Sequence, residues 1–334
     1  MSGRDGHVSQ LRLDPLTGRW VVISSDRGAR PQAFLPSMLP VEPGPPRPCP
    51  FCRGNEEATP PALETYGPEG EWLVRVVPNL YPAFEGSTPM VVSHLGPVFT
   101  QAPASGIHEV LVISPEHHDT WTDLTDAQLE LVMAAMQDRV GDHARHPGLR
   151  YSQAILNWGR EAGASIEHPH AQLLGMPFVP REISDELAGF ARFEGSCLIC
   201  TVADAEEERA RRVVHADGDV LVMCPFWSGT AYEMLVVPRD HRPHMHDAAP
   251  ADLAAVGRAT RTALDLLRRR VGDVSYNLVF HSAPYRAEGR YHWHVHVLPK
   301  LTTRAGFELG TGVLINVVAP ETAAGELRSE VLTG

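Results

Sequence analysis

HEVLVISPEHH (108–118) and YEMLVVPRDHR (232–242) share one pattern: an acidic residue, an apolar run, a proline and then a histidine. When they are superposed, Glu109 falls on Glu233 and His117 on His241, each pair 124 positions apart. The same offset carries the histidine cluster HPHAQ, which starts at His168, onto HWHVH, which starts at His292. Three pairs at one separation mark an internal duplication, with a period far beyond those of solenoid repeats. Between run and cluster each copy holds a helical pattern. In the first, Thr125 and Gln128 form a capping box ahead of LELVMAAMQDRV. In the second, Leu253, Val256, Leu264 and Leu267 recur at helical spacing behind Pro250. Each copy therefore reads as an α+β unit of antiparallel strands with one long helix.

A chain of 334 residues has room for two cores. The duplication divides it into units 1–180 and 181–334, with the break in the stretch 180–195. No apolar run reaches the ~18–20 residues of a membrane helix, and the opening MSGRDGHVSQ lacks the apolar centre of a signal peptide. The expectation is a cytoplasmic protein with no membrane partner. A net charge of −12 argues against a nucleic-acid partner, because such surfaces rest on many Lys/Arg contacts to phosphate. A phosphate would have to be met by a few local arginines.

Four of the five cysteines form two C-x-x-C pairs, Cys49/Cys52 and Cys197/Cys200. In a reducing compartment this usage favours metal over disulfide. The fifth, Cys224, reads as a buried small hydrophobe. The pairs lie 148 apart against the 124 of the strands, so the first copy holds 24 extra residues. The excess includes TPPALETYGPEGEW (59–72), an inserted hairpin or loop. Each copy then supplies two cysteines, a histidine after the strand and a histidine at the cluster. Tetrahedral zinc in a structural role takes four such N/S ligands. Site one is Cys49, Cys52, His117 and His168; site two is Cys197, Cys200, His241 and His292, for about two zinc ions per chain. A looser set, Glu186, His281, His294 and His296, competes with site two. His244 and His246 in DHRPHMHD have no counterpart in the first copy and read as a solvated loop.

Residues two apart on a strand point the same way, so His168, His170 and Gln172 share a face, as do His292, His294 and His296. With His168 on the metal, His170 is left for chemistry. A neutral imidazole held in one tautomer is a competent nucleophile at phosphorus, and Gln172 can donate a hydrogen bond to a phosphoryl oxygen.

Four stretches now resemble a known family. LDPLTGRWVVISSDRGARP (13–31), CPFCRGNEEATP (49–60), VVPNLYPAF (76–84) and NWGREAGASIEHPHAQ (157–172) are similar to motifs of the galactose-1-phosphate uridylyltransferase branch of the histidine-triad superfamily. The likeness runs over nearly the whole chain and implies tandem duplicated histidine-triad domains, usually paired as a homodimer. It implies further that Arg27 and Arg30 meet substrate phosphates and that Asn79 lies by the nucleotide. Asn157, Ser165 and Gln172 take phosphate-contacting positions, and His170 is the nucleophile. The partners implied are a nucleoside-diphosphate sugar and a sugar 1-phosphate or phosphate. The expected reaction is uridylyl transfer from UDP-glucose to a hexose 1-phosphate, ping-pong through a nucleotidyl-histidine.

Two departures favour a subgroup that includes ADP-glucose phosphorylases. Past the second cluster, AGFELGTGVLINVVAPETAAGELR (305–328) places Leu314 where the familiar uridylyltransferases carry a hexose-binding glutamate. The second copy also holds a complete zinc set. Two other classes compete: a histidine-triad hydrolase, against which Gln172 speaks because an amide is neither acid nor base, and a noncatalytic zinc-stabilised nucleotide-binding protein.

Overall fold

The computed structural model describes residues 9–25, 48–287 and 289–331. A short antiparallel hairpin comes first, β1 (Gln10–Leu13) and β2 (Trp20–Ile23). The first copy follows with β3 (Glu64–Tyr66), β4 (Val74–Pro78), β5 (Ser93–His94), β6 (Thr100–Gln101) and β7 (Ile107–Val112). Helix α1 (Asp126–Arg145) leads on to β8 (Tyr151–Trp158) and β9 (His170–Met176). Helices α2 (Arg181–Arg192) and α3 (Leu198–Arg209) connect to the second copy. That copy contains β10 (Val213–Ala216), β11 (Val220–Met223), β12 (Met234–Pro238), α4 (Pro250–Val271), β13 (Tyr276–His281) and β14 (His294–Pro299). The described chain finishes with α5 (Gly306–Thr311), β15 (Leu314–Asn316) and α6 (Pro320–Ser329). Among the described residues no helix is long and apolar enough to cross a membrane.

Ten strands form one antiparallel sheet in the order β10-β11-β12-β14-β13-β8-β9-β7-β4-β3. Read outward from its centre the order is the same on both sides. The strand sequence β8, β9, β7, β4, β3 on one side matches β13, β14, β12, β11, β10 on the other. The duplication is thus expressed as a pseudo-two-fold, joined where β8 pairs with β13 and Asn157 faces Asn277. The β3–β4 hairpin, whose turn lies in TPPALETYGPEGEW, is not the inserted element, because it matches β10–β11. Val76 pairs with Leu111 as Met223 pairs with Leu235, so nearly all of the extra residues lie between β4 and β7, around β5 and β6.

Side chains alternate across the sheet, which gives the two faces different jobs. One face is apolar: Val76, Leu111, Leu156, Ala171, Leu173, Val236, Leu278, Phe280, Val295 and Val297 pack under α1 and α4. The helices return Leu129, Val132, Met133 and Met136 from α1, and Leu253, Val256, Leu264 and Leu267 from α4, all buried. Each such burial stabilises by roughly 1.5–3 kcal/mol. Along β8 the other set, Gln153, Ile155 and Asn157, is only half-buried. On this opposite face the polar side chains of β8, β9, β13 and β14 collect, while α2 and α3 cover Leu221, Met223, Leu235 and Val237 of β11 and β12.

The hairpin β1–β2 belongs spatially to the second copy. β2 runs parallel to β15, and Arg12 bridges to Glu321, which Arg212 shares. Cys224 is fully buried. The capping box is half-formed. Thr125 accepts from the Gln128 backbone N–H, but the Gln128 amide donates instead to the carbonyls of Leu73 and Ile113, where it ties α1 to the sheet. DHRPHMHD is also more ordered than a solvated loop. Met245 is buried in a 3₁₀ turn under α1, and Gln137 of that helix donates to the carbonyls of His246 and Ala248.

Candidate active site and metal centres

Site one comes together from three separate segments. The tight turn at Cys49–Cys52 is closed by the Cys52 N–H on the Cys49 carbonyl, and the Asn55 amide donates to that carbonyl as well. His117 and His168 bring one ligand atom each to the two sulfurs, and all four atoms lie within 4.8 Å of one another. Cys52 Sγ stands 3.3 Å from His117 Nδ1 and 3.6 Å from His168 Nδ1. His168 Nε2 lies 2.8 Å from the carbonyl of Ser114. A carbonyl only accepts, so Nε2 carries the proton and Nδ1 presents its lone pair to the cluster.

Site two repeats this in detail. Cys197, Cys200, His241 and His292 converge within the same limit, and His292 Nε2 donates to the Pro238 carbonyl at 2.8 Å. Pro238 is the counterpart of Ser114 at the repeat offset of 124. Two sulfurs and two imidazole nitrogens with a second-shell bond on the buried histidine suit tetrahedral zinc.

The set that the sequence offered as a rival to site two is a neighbour instead. Glu186, His281, His294 and His296 gather within 4.8 Å without sharing a residue with site two. His281 Nδ1 lies 2.8 Å from Glu186 Oε1, the Tyr291 hydroxyl donates to Glu186 Oε2, and Nε2 of His294 is 3.1 Å from Nε2 of His296. One carboxylate and three imidazoles are a donor set for a divalent transition metal. Spacing could not reveal this coexistence, because Glu186 arrives on α2.

His170 opens β9, buried, on the face opposite α1 and α4. Its Nδ1 donates to the His168 carbonyl at 2.8 Å, which leaves Nε2 as the basic nitrogen. Burial pushes the imidazole below its ordinary range and the carbonyl bond offsets part of that, so the ring is held neutral. Phe51, between the two site-one cysteines, packs its ring 5.1 Å from that of His170. The metal turn and the candidate nucleophile are thereby in direct contact.

The polar residues around His170 are ordered by donors behind them. The Ala83 N–H donates to His108 Nδ1, which places the His108 proton on Nε2. That Nε2 stands 2.9 Å from Gln172 Oε1 and donates to it. The amide nitrogen of Gln172 is thereby left as the outward donor. Asn79 lies beside His108, its oxygen fixed by the Tyr81 N–H and its nitrogen 3.1 Å from His108 Nε2. Asn157 is half-buried on β8, its Oδ1 accepting from Asn277 at 2.7 Å. Ser165 is exposed, past the 3₁₀ turn Arg160–Ala162. Arg27 and Arg30 lie outside the described residues. His108 and Asn277 are the members of this group that sequence reasoning missed. The counterparts of His108 and Asn277 in the repeat are Tyr232 and Gln153, so the duplication singles out neither.

A family model described as the galactose-1-phosphate uridyl transferase N-terminal domain matches residues 3–180. A second model, a domain of unknown function, matches 112–333. The chain is 31% identical over 335 residues to an ADP-glucose phosphorylase of Arabidopsis thaliana, covering 97% of this chain and 93% of the relative. It is 29% identical to a galactose-1-phosphate uridylyltransferase of Thermotoga maritima, with 96% and 98% covered. A crystal structure of an ADP-glucose phosphorylase from Arabidopsis thaliana with bound ADP-glucose superposes with a TM-score of 0.82 at 28% identity, covering 96% of this chain and 98% of that one.

Proposed function

We propose, from the premise that this chain belongs to the galactose-1-phosphate uridylyltransferase family, that it is a nucleotidyltransferase working through His170. The carrying observation is the tautomer: with Nδ1 bonded to the His168 carbonyl, Nε2 has its lone pair unpartnered among the described residues, on the sheet face opposite α1 and α4. In this reading Nε2 attacks the α-phosphorus of a nucleoside-diphosphate sugar. The bond from that phosphorus to the bridging oxygen breaks, and the sugar 1-phosphate leaves with the electron pair. The nucleotide stays on nitrogen as a phosphoramidate until an oxygen of a second phosphate attacks the same phosphorus and expels His170. Gln172, Asn157 and Ser165 donate to the phosphoryl oxygens, joined by Arg27 and Arg30, while Asn79 lies by the nucleotide. Units 1–180 and 181–334 serve as catalytic half and supporting half.

Zinc fits sites one and two by donor type and convergence, and there it supplies structural closure. Four donors in each set would hold it: Cys49, Cys52, His117 and His168, and Cys197, Cys200, His241 and His292. Metal analysis reads the third set: two equivalents per chain leave it a hydrogen-bonded network, three place an ion in it.

Uridylyl transfer between hexose phosphates is the reading taken for donor and acceptor. Adenylyl transfer from ADP-glucose to phosphate is the second. It is favoured by the Arabidopsis relative and by the complete zinc set of the second copy. A homodimer is part of either reading. Met90, Val91, Val92, Leu95, Val98 and Phe99 stand exposed on the β5–β6 hairpin, an apolar patch suited to a second copy. Incubation of metal-loaded protein with UDP-glucose, UDP-galactose, ADP-glucose or GDP-mannose, without acceptor, followed by intact mass, tests the function. A uridylyl adduct supports the first reading and an adenylyl adduct the second. No adduct from any donor, with no turnover when hexose 1-phosphate or phosphate is added, overturns both.

A further inference from the structure

An amide side chain can offer an anion its nitrogen or, flipped, repel it with its oxygen, and nothing within an isolated Asn or Gln decides which. For Gln172 the choice is made by His108, whose Nε2–H occupies the amide oxygen. For Asn157 the choice is made from the other half of the molecule. Asn277 stands directly opposite Asn157 across the β8–β13 seam. Its amide nitrogen lies 2.9 Å from the carbonyl of Ala162, which can only accept, so the orientation of Asn277 is fixed. The second hydrogen of the same nitrogen reaches Asn157 Oδ1 at 2.7 Å. With that oxygen occupied, the Asn157 NH₂ is the free end of the side chain, and among the described residues no other group bonds to it.

The same strand seats the loop that carries Ser165. The Ser275 hydroxyl donates to Glu161 Oε2. A Cβ on Gly159, where φ is +81°, would lie 2.0 Å from Ser275 Oγ, so the loop can lie this close to β13 only with glycine there. β13 thus supports both the strand side and the loop side of the first copy's site.

We infer that Asn277 is a positioning residue for the first half's chemistry, supplied by the second half: it locks Asn157 with its NH₂ toward the transferring phosphoryl group. The inference rests on the proposed nucleotidyl transfer at His170. It gives the second copy a definite part in the reaction beyond packing, through the seam between the copies and without a residue of its own at phosphorus.

The test compares two replacements that a merely structural role would not rank. Asn277→Ala leaves Asn157 free to flip, and the single-turnover rate of nucleotidyl-enzyme formation falls about tenfold. Asn277→Asp puts an acceptor opposite Asn157 and draws its NH₂ away from phosphorus. The loss is then on the order of 100-fold, as for removal of an oxyanion donor. In an Asn157→Ala background, Asn277→Ala costs less than about twofold, because the residue it acts through is gone. Metal content and Tm report folding for each variant. Equal losses for Ala and Asp that add to the loss from Asn157→Ala overturn the inference. If the wild-type protein forms no adduct, the proposed function fails and the inference is read from binding. Inorganic phosphate shifts the Asn157 side-chain amide signal, identified by its loss in Asn157→Ala, in wild type and not in Asn277→Asp. An equal shift in both overturns it.

Discussion

In both copies the middle histidine of the cluster gives its Nδ1 proton to the carbonyl two residues back: His170 to His168 at 2.8 Å, His294 to His292 at 2.9 Å. Both carbonyls belong to histidines fixed by a Cys2His2 set, and both of those histidines donate Nε2–H to a carbonyl on the preceding segment. The copies part at the next position along the strand. The first has Gln172, whose oxygen is occupied by His108, and among the described residues no group bonds to Nε2 of His170. The second has His296, whose Nε2 comes within 3.1 Å of Nε2 of His294, with Glu186 and His281 completing a buried group. One duplicated device therefore has two outcomes. A lone pair with no neighbouring donor or cation can attack a substrate, whereas one enclosed by a carboxylate and two imidazoles can only hold a proton or an ion.

The comparison breaks most sharply on the two middle histidines. His170→Ala is expected to lower turnover by roughly 10⁴-fold or more, as loss of a nucleophile does, while His294→Ala retains adduct formation. Steady-state rates of metal-loaded variants check this. Next in size is the metal pair. Cys49→Ser should remove one metal equivalent and slow adduct formation by about 10–100-fold, because His168 and its carbonyl lose their anchor. Cys197→Ser should remove one equivalent with less than about threefold change in that rate. Elemental analysis beside single-turnover kinetics reads both. Equal losses from the two cysteines would mean that the sites do not differ in role.

Gln172→His writes the second copy's pattern into the first and sharpens the comparison. The new imidazole can act as a base toward water, so the adduct should decay about tenfold faster without acceptor. Mass spectra taken over time measure its lifetime. An unchanged lifetime would mean that the third position does not separate transfer from hydrolysis. The smallest effect belongs to His108→Ala. Loss of one orienting hydrogen bond is expected to slow adduct formation by about tenfold or less, with Tm close to wild type.

The duplication, the α+β units and the converging metal sets are legible because they depend on order and spacing along the chain. Glu109/Glu233, His117/His241 and His168/His292 keep one offset. What the sequence hides is which strands meet across the copies. The β8–β13 seam is a register choice between segments more than 100 residues apart, and nothing local in NWGREAG or SYNLVFH announces that Asn157 will face Asn277. His108 was hidden for a related reason. Its role depends on a diagonal contact from β7 to Gln172 on β9, and its repeat partner Tyr232 shares none of its chemistry. Glu186 was visible as a donor, but only the placement of α2 lets its set stand beside Cys197, Cys200, His241 and His292.

The central claim is that one histidine of two equivalent ones carries the nucleotide. It is tested most directly by forming the adduct with the donor that labels the protein, digesting it under conditions that preserve phosphoramidates, and locating the modification by peptide mass spectrometry. The account predicts a single nucleotidyl group on the peptide containing His170, at Nε2. A nucleotide found on His294 or His296, or divided between the two copies, would contradict it.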